Sequence, residues 1–462
     1  MNHPRLVTRR RFLETSSLSS LALASAEIMR ARDASAGATD RHPDTAVILV
    51  WLTGGLSHMD TYDMKPDAPE EYRGDFRPIA TNVSGMEICE LLPMHARIAD
   101  RFSLVRSLTH GFGGHDGAHK RVLTGRVPKS PTGFVNDAPG VGSIVCKIRK
   151  DVHPETLAFT SGQRDKTDVD AYSQGAAWLG ASYTPFLVHG DPSNEDWAIP
   201  NLAVLPELQP RLQDRWTLRD RFDRLRRDLD QNGPLTSHNR FQQRAFDLLT
   251  NDEARQAFDL SLEDPVLRDR YGRNPYGQQA LLARRLIESG TSFANVVMEH
   301  PGIAAPKNNV VYNWDCHAVN CHVFDDARWR FPPFDQAVSA LIEDLYERGL
   351  DKKVMLVVTG EFGHTPRINH NKGTQNGIVQ PGRDHWPGVY SALLAGGGLK
   401  TGQVIGSSDK LGEHPRDRAL SPDDIWATVY RHLGIDQEHA FPDLSGRPLR
   451  ILPHGEPISE LI

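Results

Sequence analysis

A long apolar segment near the N-terminus, followed by a pair of glycines, limits the folds open to this chain. Residues 45–52 read Thr-Ala-Val-Ile-Leu-Val-Trp-Leu and are followed by Thr53-Gly54-Gly55. A continuous apolar run, without the alternation of a half-exposed strand, is typical of a strand covered on both faces. The segment therefore predicts a core strand of a mainly parallel sheet, closed by a glycine turn.

Predicted strands and helices alternate along most of the chain. Further strands are predicted at 102–108, 292–299, 353–358 and 391–395, and helices at 91–101, 114–123, 334–350 and 422–433. Such alternation over several hundred residues predicts an α/β fold in which helical layers cover both faces of a mainly parallel central sheet.

Residues 205–290 differ in composition from this pattern. Leu208, Leu212, Trp216 and Phe222 recur near helical spacing among many Arg and Asp residues. The segment predicts a helical insertion into the α/β domain. Its charge-dense faces are most simply solvated surface.

Composition excludes several classes of function. The chain has 462 residues, 39% of them hydrophobic, and a formal net charge of −6, which is too small to suggest binding of a polyanion. We therefore expect no nucleic-acid partner. No apolar run reaches the ~20 residues of a membrane span, so no transmembrane segment is expected. The four cysteines show no CxxC spacing; Cys316 and Cys321 could pair, but spacing alone does not establish the required geometry.

The N-terminus resembles an export signal. Arg9-Arg10-Arg11 precedes Phe12-Leu13, and a short, weakly apolar stretch follows at 18–26. Residues 1–40 are predicted to be a twin-arginine signal and linker, with the folded domain at 41–462. The expected location is periplasmic or secreted, with the twin-arginine machinery as partner. A disordered basic tail is the alternative.

Polar clusters follow the predicted strands, where open α/β sheets bind their ligands. After the glycine turn come His58, Asp60 and Asp63. Imidazole together with carboxylate suits zinc, manganese or an iron-like divalent ion, whereas oxygen ligands alone suit magnesium or calcium. His58 and Asp60 are therefore candidate metal ligands, although the carboxylates could instead cap turns.

A second cluster lies where a glycine-rich loop enters a helix. Gly113-Gly114 precedes His115 and His119. Free backbone N–H groups at a helix N-terminus favour an anion such as phosphate or sulfate. His115 and His119 could serve as ligands, acid/base groups or nucleophile, or could belong to an ordinary polar helix start.

Three later clusters repeat the carboxylate and imidazole pairing. Asp315 and His317 stand two residues apart, Glu361 follows the strand predicted at 353–358, and Asp384 adjoins His385. All five are candidate ligands of a divalent cation. Two arginines in these motifs, Arg367 and Arg383, are candidates for pairing with an oxyanion.

The motifs together resemble a known family. Gly-Gly-x-Ser-His-x-Asp-Thr, Trp-Asp-x-His, Thr-Gly-Glu-Phe-Gly-x-Thr-Pro-Arg and Gly-Arg-Asp-His-Trp occur in this order behind the leader. This chain resembles the secreted bacterial DUF1501 family from about residue 45 to 452. That family resembles, more distantly, the alkaline phosphatase and sulfatase superfamily. The resemblance implies a three-layer α/β/α fold, one or two divalent ions at strand ends, and hydrolysis of phosphate or sulfate esters.

The resemblance also places individual residues. Asp315 and His317 match a ligand pair, Glu361 lies near an Asp-His pair of the superfamily, and His385 with Asp384 lies near its last ligand histidine. Thr53 stands where the superfamily has its first metal-binding Asp, so His58 or Asp60 would take over that role. Of the sulfatase nucleophile motif only Leu123-Thr124-Gly125 is present.

The resulting hypothesis is an exported metallohydrolase acting on small-molecule or polysaccharide sulfate or phosphate esters. The ion, whether zinc, calcium, magnesium or manganese, would polarise an ester oxygen, His115 and His119 would transfer protons, and Arg367 or Arg383 would offset negative charge. The missing nucleophile motif supports an alternative, a non-catalytic binding or envelope protein stabilised by the metal. An oxidoreductase with a redox metal is a third hypothesis.

Overall fold

The computed structural model describes residues 44–133, 135–150, 158–161, 175–180, 183–199, 256–306 and 310–462. Its centre is an eight-stranded sheet. In chain order the strands are β1 (Ala46–Leu52), β2 (Phe102–Leu108), β3 (Ala158–Ser161), β4 (Phe186–Val188), β5 (Phe293–Val297), β6 (Val354–Gly360), β7 (Tyr390–Gly396) and β8 (Val404–Ile405).

The sheet is mainly parallel, as predicted. Its strand order is β8-β2-β7-β6-β1-β5-β3-β4. Only β7 runs antiparallel to its neighbours β2 and β6; every other pair in the described sheet is parallel. β1 lies between β5 and β6, so the apolar segment that opened the sequence argument is an interior strand.

Helices cover both faces of this sheet. The α-helices are α1 (Glu70–Arg73), α2 (Pro93–Arg97), α3 (His115–Thr124), α4 (Val141–Lys150), α5 (Pro265–Tyr271), α6 (Pro275–Glu288), α7 (Val323–Glu347) and α8 (Pro422–His432). Four 3₁₀ turns are also described, at Ala99–Arg101, Ala177–Leu179, Leu260–Leu262 and Ser459–Leu461.

β1 shows why two helical layers are needed. Its alternate residues Ile48 and Val50 pack in one core with α6 and α7, whereas Val47 and Leu49 pack in a second core with α3, α4 and α8. Because successive side chains of a strand point to opposite faces, an all-apolar strand is stable only between two such layers. The predicted three-layer α/β/α architecture is confirmed.

Two predicted helices differ from the structure. The helix predicted at 334–350 is α7, which begins at Val323 and contains Pro332 and Pro333. Proline disfavours a helix interior, but tertiary burial of Phe331 and Phe334 on this helix outweighs that local preference. The helix predicted at 91–101 is shorter, with α2 followed by a separate 3₁₀ turn at Ala99–Arg101.

The predicted helical insertion at 205–290 is only partly visible. Residues 200–255 lie outside the described residues, so the prediction stays open there. Its described C-terminal part includes α6, which is buried against α7 and β5 in the main core. The predicted leader also lies outside the described residues. Among the described residues, no helix is long and apolar enough to cross a membrane.

Five two-stranded ribbons complete the described fold. The ribbon that matters for the site pairs Gly363–His364 with His385–Trp386 in antiparallel register. The others pair Asn369–Lys372 with Val379–Gly382, Pro78–Ala80 with Glu87–Cys89, Ser407–Ser408 with Pro415–Asp417, and Ala440–Pro442 with Pro448–Arg450.

Candidate metal centre

A group of carboxylates and imidazoles gathers at one edge of the sheet. The parallel strands β1 and β6 both end at this edge, and the antiparallel β7 begins there. The segment after β5, the segment between β6 and β7 and the start of α3 supply the group. We call it the edge cluster: His115, His119, Asp315, His317, Glu361, Asp384 and His385.

Gly54 explains how distant loops come so close. Its φ is +103°, and a Cβ built there would lie 2.3 Å from the backbone nitrogen of Asp315. Only glycine allows both this backbone conformation and this approach. The Gly54 N–H also donates to Glu361 Oε1 at 2.8 Å, which ties the end of β1 to the end of β6.

The helix α3 contributes two histidines from one face. His115 and His119 are four residues apart, so their side chains lie one above the other on the helix. His115 Nδ1 lies 2.9 Å and His119 Nε2 lies 3.3 Å from Glu361 Oε1. Glu361 and His119 are buried, whereas the His115 side chain is 29% exposed.

Asp315 contacts three histidines in the more exposed part of the edge cluster. Its Oδ1 lies 2.6 Å from His317 Nε2 and 2.8 Å from His385 Nε2, and its Oδ2 lies 3.3 Å from His115 Nε2. The two Nε2 atoms of His317 and His385 are 3.0 Å apart. Several donor atoms of the type that divalent metals prefer therefore converge on one point.

The Nδ1 atoms of His317 and His385 face hydrogen-bond acceptors outside the point where the Nε2 atoms converge. His317 Nδ1 lies 2.8 Å from Asp384 Oδ1, and His385 Nδ1 lies 2.8 Å from the carbonyl oxygen of Gly113. Each Nδ1–H can donate to that oxygen, which leaves the Nε2 lone pair directed into the cluster. Metal-binding histidines are held in this way by carboxylates or carbonyls, so the residues present fit a bound cation.

Close backbone packing holds these loops together. Gly382 approaches Ala318 so closely that an added Cβ would lie 2.0 Å from the backbone nitrogen of Ala318. Asn369 Nδ2 donates to the second oxygen of Asp384. A disulfide joins Cys316 to Cys321, on either side of His317.

In the ion-free protein, the carboxylates of the cluster favour positive charge on the imidazoles that face them. Burial of Asp315 opposes its ionisation, but hydrogen bonds from His115, His317 and His385 outweigh it and hold the pKa of Asp315 well below its usual range. Burial would lower the pKa of His115, yet hydrogen bonds to Asp315 and Glu361 raise it to about 10. His119 is fully enclosed, and burial lowers its pKa to about 4.

Among the residues that the structure describes, no lysine or arginine pairs with these carboxylates. In the described part of the chain, every ion pair of Asp315, Glu361 and Asp384 is with a histidine. Three carboxylates balanced only by imidazoles favour a cation from solution. Mixed nitrogen and oxygen donors suit zinc or manganese, and they do not select one ion.

Four residues that the sequence predicts for the site are not in the edge cluster. His58 is buried and its Nε2 lies 2.8 Å from the carbonyl oxygen of Gly412. Asp60 forms a buried bidentate pair with Arg383, at 2.8 and 3.1 Å. Arg367 is exposed. Asp60 and Arg383 therefore neutralise each other inside the protein. Their roles at a metal and beside an oxyanion stay predictions from the sequence.

Sequence reasoning also missed groups that the structure places beside the cluster. The Gly113 carbonyl, the Gly54 N–H and Asn369 hold cluster residues through backbone or amide atoms, for which sequence offers no signal. His364 is buried and pairs with His385 in the ribbon. Its place as the variable residue of the motif Thr-Gly-Glu-Phe-Gly-x-Thr-Pro-Arg was the one available signal.

His110 gives the ion-free protein a predictable response to acid. Its Nε2–H donates to the Glu361 carbonyl at 2.6 Å, and its Nδ1 accepts from the Phe112 N–H at 3.1 Å, so the neutral ring is required. Burial lowers the pKa of His110 to about 4, against about 6.5 in an unfolded chain. The unfolded state therefore binds the proton first, and stability falls as pH drops from about 6.5 to 4, by up to about 1.4 kcal/mol per pH unit.

The measurement is urea unfolding in the presence of a chelator across this pH range. We expect His110→Gln to lose less stability than the parent between pH 6.5 and 4, and to match the parent's slope above pH 7. His454→Gln, at an exposed position, should keep the parent's slope throughout. Equal slopes for His110→Gln and the parent would contradict the assignment.

A family model described as "Protein of unknown function (DUF1501)" matches residues 44–462. This chain belongs to the DUF1501 family. The match covers the sheet, both helical layers and the whole edge cluster, and it confirms the family suggested by the motifs. No curated protein matches this DUF1501 chain.

Solved structures that match this DUF1501 protein share little sequence with it. The lipoteichoic acid synthase LtaP from Listeria monocytogenes has 11% identity and a TM-score of 0.35, over 85% of this chain and 72% of that one. The PsFucS1 sulfatase from Pseudoalteromonas sp. has 12% identity and a TM-score of 0.34, over 90% and 71%. The zinc complex of the C-terminal periplasmic domain of EcEptC from Escherichia coli has 12% identity and a TM-score of 0.36, over 86% and 84%. With TM-scores below 0.5, these matches decide nothing about the chemistry of this chain.

Proposed function

We propose that this protein is an exported, divalent-cation-dependent hydrolase of phosphate or sulfate esters. The observation that carries the proposal is the convergence of Asp315, His317 and His385, whose donor atoms lie 2.6 to 3.0 Å apart at the carboxyl edge of the sheet. This edge is where open α/β sheets bind their ligands. The ester class follows from the order of the motifs, which resembles the alkaline phosphatase and sulfatase superfamily.

The residues of the cluster have distinct parts in this proposal. Asp315, His317, His385 and His115 would hold a cation, and a bound cation stabilises the negative charge that develops on an ester oxygen. Asp384 and the Gly113 carbonyl keep the two outer imidazoles in the orientation that binds. The Asp384 side chain is 55% exposed, so this side of the cluster is open to solvent.

The test uses purified protein and a panel of p-nitrophenyl phosphate, bis-p-nitrophenyl phosphate and p-nitrophenyl sulfate. We expect hydrolysis of at least one ester, its loss after treatment with a chelator, and its recovery on addition of Zn²⁺ or Mn²⁺. Hydrolysis that survives complete removal of metal would contradict the proposal. So would ion-loaded protein that hydrolyses none of the panel or of sulfated polysaccharides.

One observation favours a second candidate, a non-catalytic binding or envelope protein stabilised by the ion. Glu361 and His119 are almost fully buried, so an ion between them would join α3 to the end of β6 without access to substrate. This candidate predicts tight ion binding and a higher melting temperature with the ion, but no turnover.

Export is the remaining part of the proposal, and it rests on the twin arginine at 9–10. The replacement of both arginines by lysine is expected to retain the protein in the cytoplasm, as measured by cell fractionation. Unchanged export of that variant would contradict a twin-arginine route.

A further inference from the structure

His115 faces two carboxylates with its two ring nitrogens. Nδ1 lies 2.9 Å from Glu361 Oε1, and Nε2 lies 3.3 Å from Asp315 Oδ2. The two carboxylates come from the loop after β5 and the end of β6. The imidazole of His115 therefore lies between two groups of ligand atoms and contacts both.

The first group, which we call the inner position, consists of His115, His119 and Glu361. Their ligand atoms all lie within 4.8 Å of one another. Two histidines four residues apart on a helix face can bind one ion together. The His119 and Glu361 side chains are 2% and 0% exposed.

An unsatisfied atom supports a ligand at the inner position. Glu361 Oε2 is buried and has no hydrogen-bond partner among the described residues. A buried carboxylate oxygen without a partner is costly, and native structures rarely leave one so. A cation beside Glu361 would satisfy it.

The second group, the outer position, consists of His115, Asp315 and His385. Their ligand atoms also lie within 4.8 Å of one another. His317 joins them through Asp315 at 2.6 Å. The side chains of this group are 18 to 29% exposed. The outer position is thus open to solvent, whereas the inner one is enclosed.

We infer that His115 bridges two divalent cations, an enclosed one at the inner position and an accessible one at the outer position. The inference rests on the cation site of the proposed function and adds a second ion and its link. Each ring nitrogen donates its lone pair to one ion, and both ring protons pass to solvent as the ions bind. The inner ion fixes α3 against β6, and the outer ion is the one that a substrate anion can reach.

The experiment counts ions and measures their magnetic coupling, with Cu²⁺ as the probe. After removal of metal and reloading, the parent is expected to hold two ions per chain, with the electron paramagnetic resonance signal of isolated Cu²⁺ strongly reduced by coupling through the shared imidazole. His119→Ala and Asp315→Asn are each expected to hold one ion and to show the full signal per copper. His454→Ala, at an exposed histidine, should behave as the parent.

Circular dichroism melting of the ion-free proteins shows whether each variant is folded. One ion per chain in the parent, two ions without coupling, or two ions retained by folded His119→Ala would overturn the inference. None of these readouts involves substrate. Two coupled ions without ester hydrolysis would therefore contradict only the proposed function, and hydrolysis with a single ion would contradict only the bridge.

Discussion

Asp315→Asn is expected to weaken cation binding at the outer position at least about 100-fold and to abolish ester hydrolysis with it. Asp315 contacts three imidazoles, at 2.6, 2.8 and 3.3 Å, and none of its ion pairs in the described chain is with lysine or arginine. Loss of a group that only orients a metal ligand costs about 10- to 100-fold in affinity. Loss of a carboxylate that itself binds the ion should reduce the affinity by more than this. Titration of chelator-treated protein with Zn²⁺ measures the change.

A matched control separates this effect from a general loss of negative charge. Asp417 is exposed and lies in a surface ribbon, so Asp417→Asn should bind the ion with the parent's affinity. Equal affinity of Asp315→Asn and the parent would show that the ion, if any, binds elsewhere. The edge cluster would then be a hydrogen-bonded structural network.

Arg383→Met is expected to lower the free energy of unfolding by about 3 to 5 kcal/mol while a folded sample still binds the ion. The Arg383 and Asp60 side chains are 0% and 2% exposed and paired at 2.8 Å. Arg383 also donates to the backbone carbonyls of Thr365 and Tyr72, at 3.0 and 2.8 Å. Removal of one partner leaves the other charge buried and uncompensated, which typically costs this much. Urea unfolding of the ion-free protein gives the value.

Two further variants make this prediction specific. Arg367→Met changes an exposed arginine of a neighbouring motif and should alter stability by less than about 0.5 kcal/mol. The double variant Asp60→Leu/Arg383→Met removes both charges and should recover part of the loss. If Arg383→Met instead kept full stability and lost ion binding or turnover, the role at an oxyanion predicted from the sequence would be supported and the structural role contradicted.

The interior strands were predictable because burial on both faces leaves a direct signal. The strand predicted at 102–108 is β2 with the same bounds, and β1, β5, β6 and β7 differ from prediction by one or two residues at their ends. The short strands β3, β4 and β8 were missed because strands of two to four residues give no distinctive periodicity. The start of α7 was missed because local sequence favours a break at Pro332-Pro333, and only packing in the core overrides it.

Part of the edge cluster was predictable because its residues lie next to strands that the sequence predicts. Asp315, His317, Glu361, Asp384 and His385 follow or precede apolar strands, and strand ends of a parallel sheet meet at one edge. His58 and Asp60 also follow a strand, but His58 Nε2 lies against the Gly412 carbonyl oxygen. Asp60 then meets Arg383 across the fold, a pairing that no local pattern indicates.

The amino-acid sequence alone determined the α/β class, the core strands and the positions that require glycine, because these follow from burial and from backbone sterics within a few residues. The tertiary structure decided which carboxylates and imidazoles share a site. That choice depends on contacts between residues separated by hundreds of positions, such as the Gly54 N–H on Glu361 and the approach of Gly382 to Ala318. A side chain's chemistry is a local property, whereas its partner is set by how the loops close over the sheet edge.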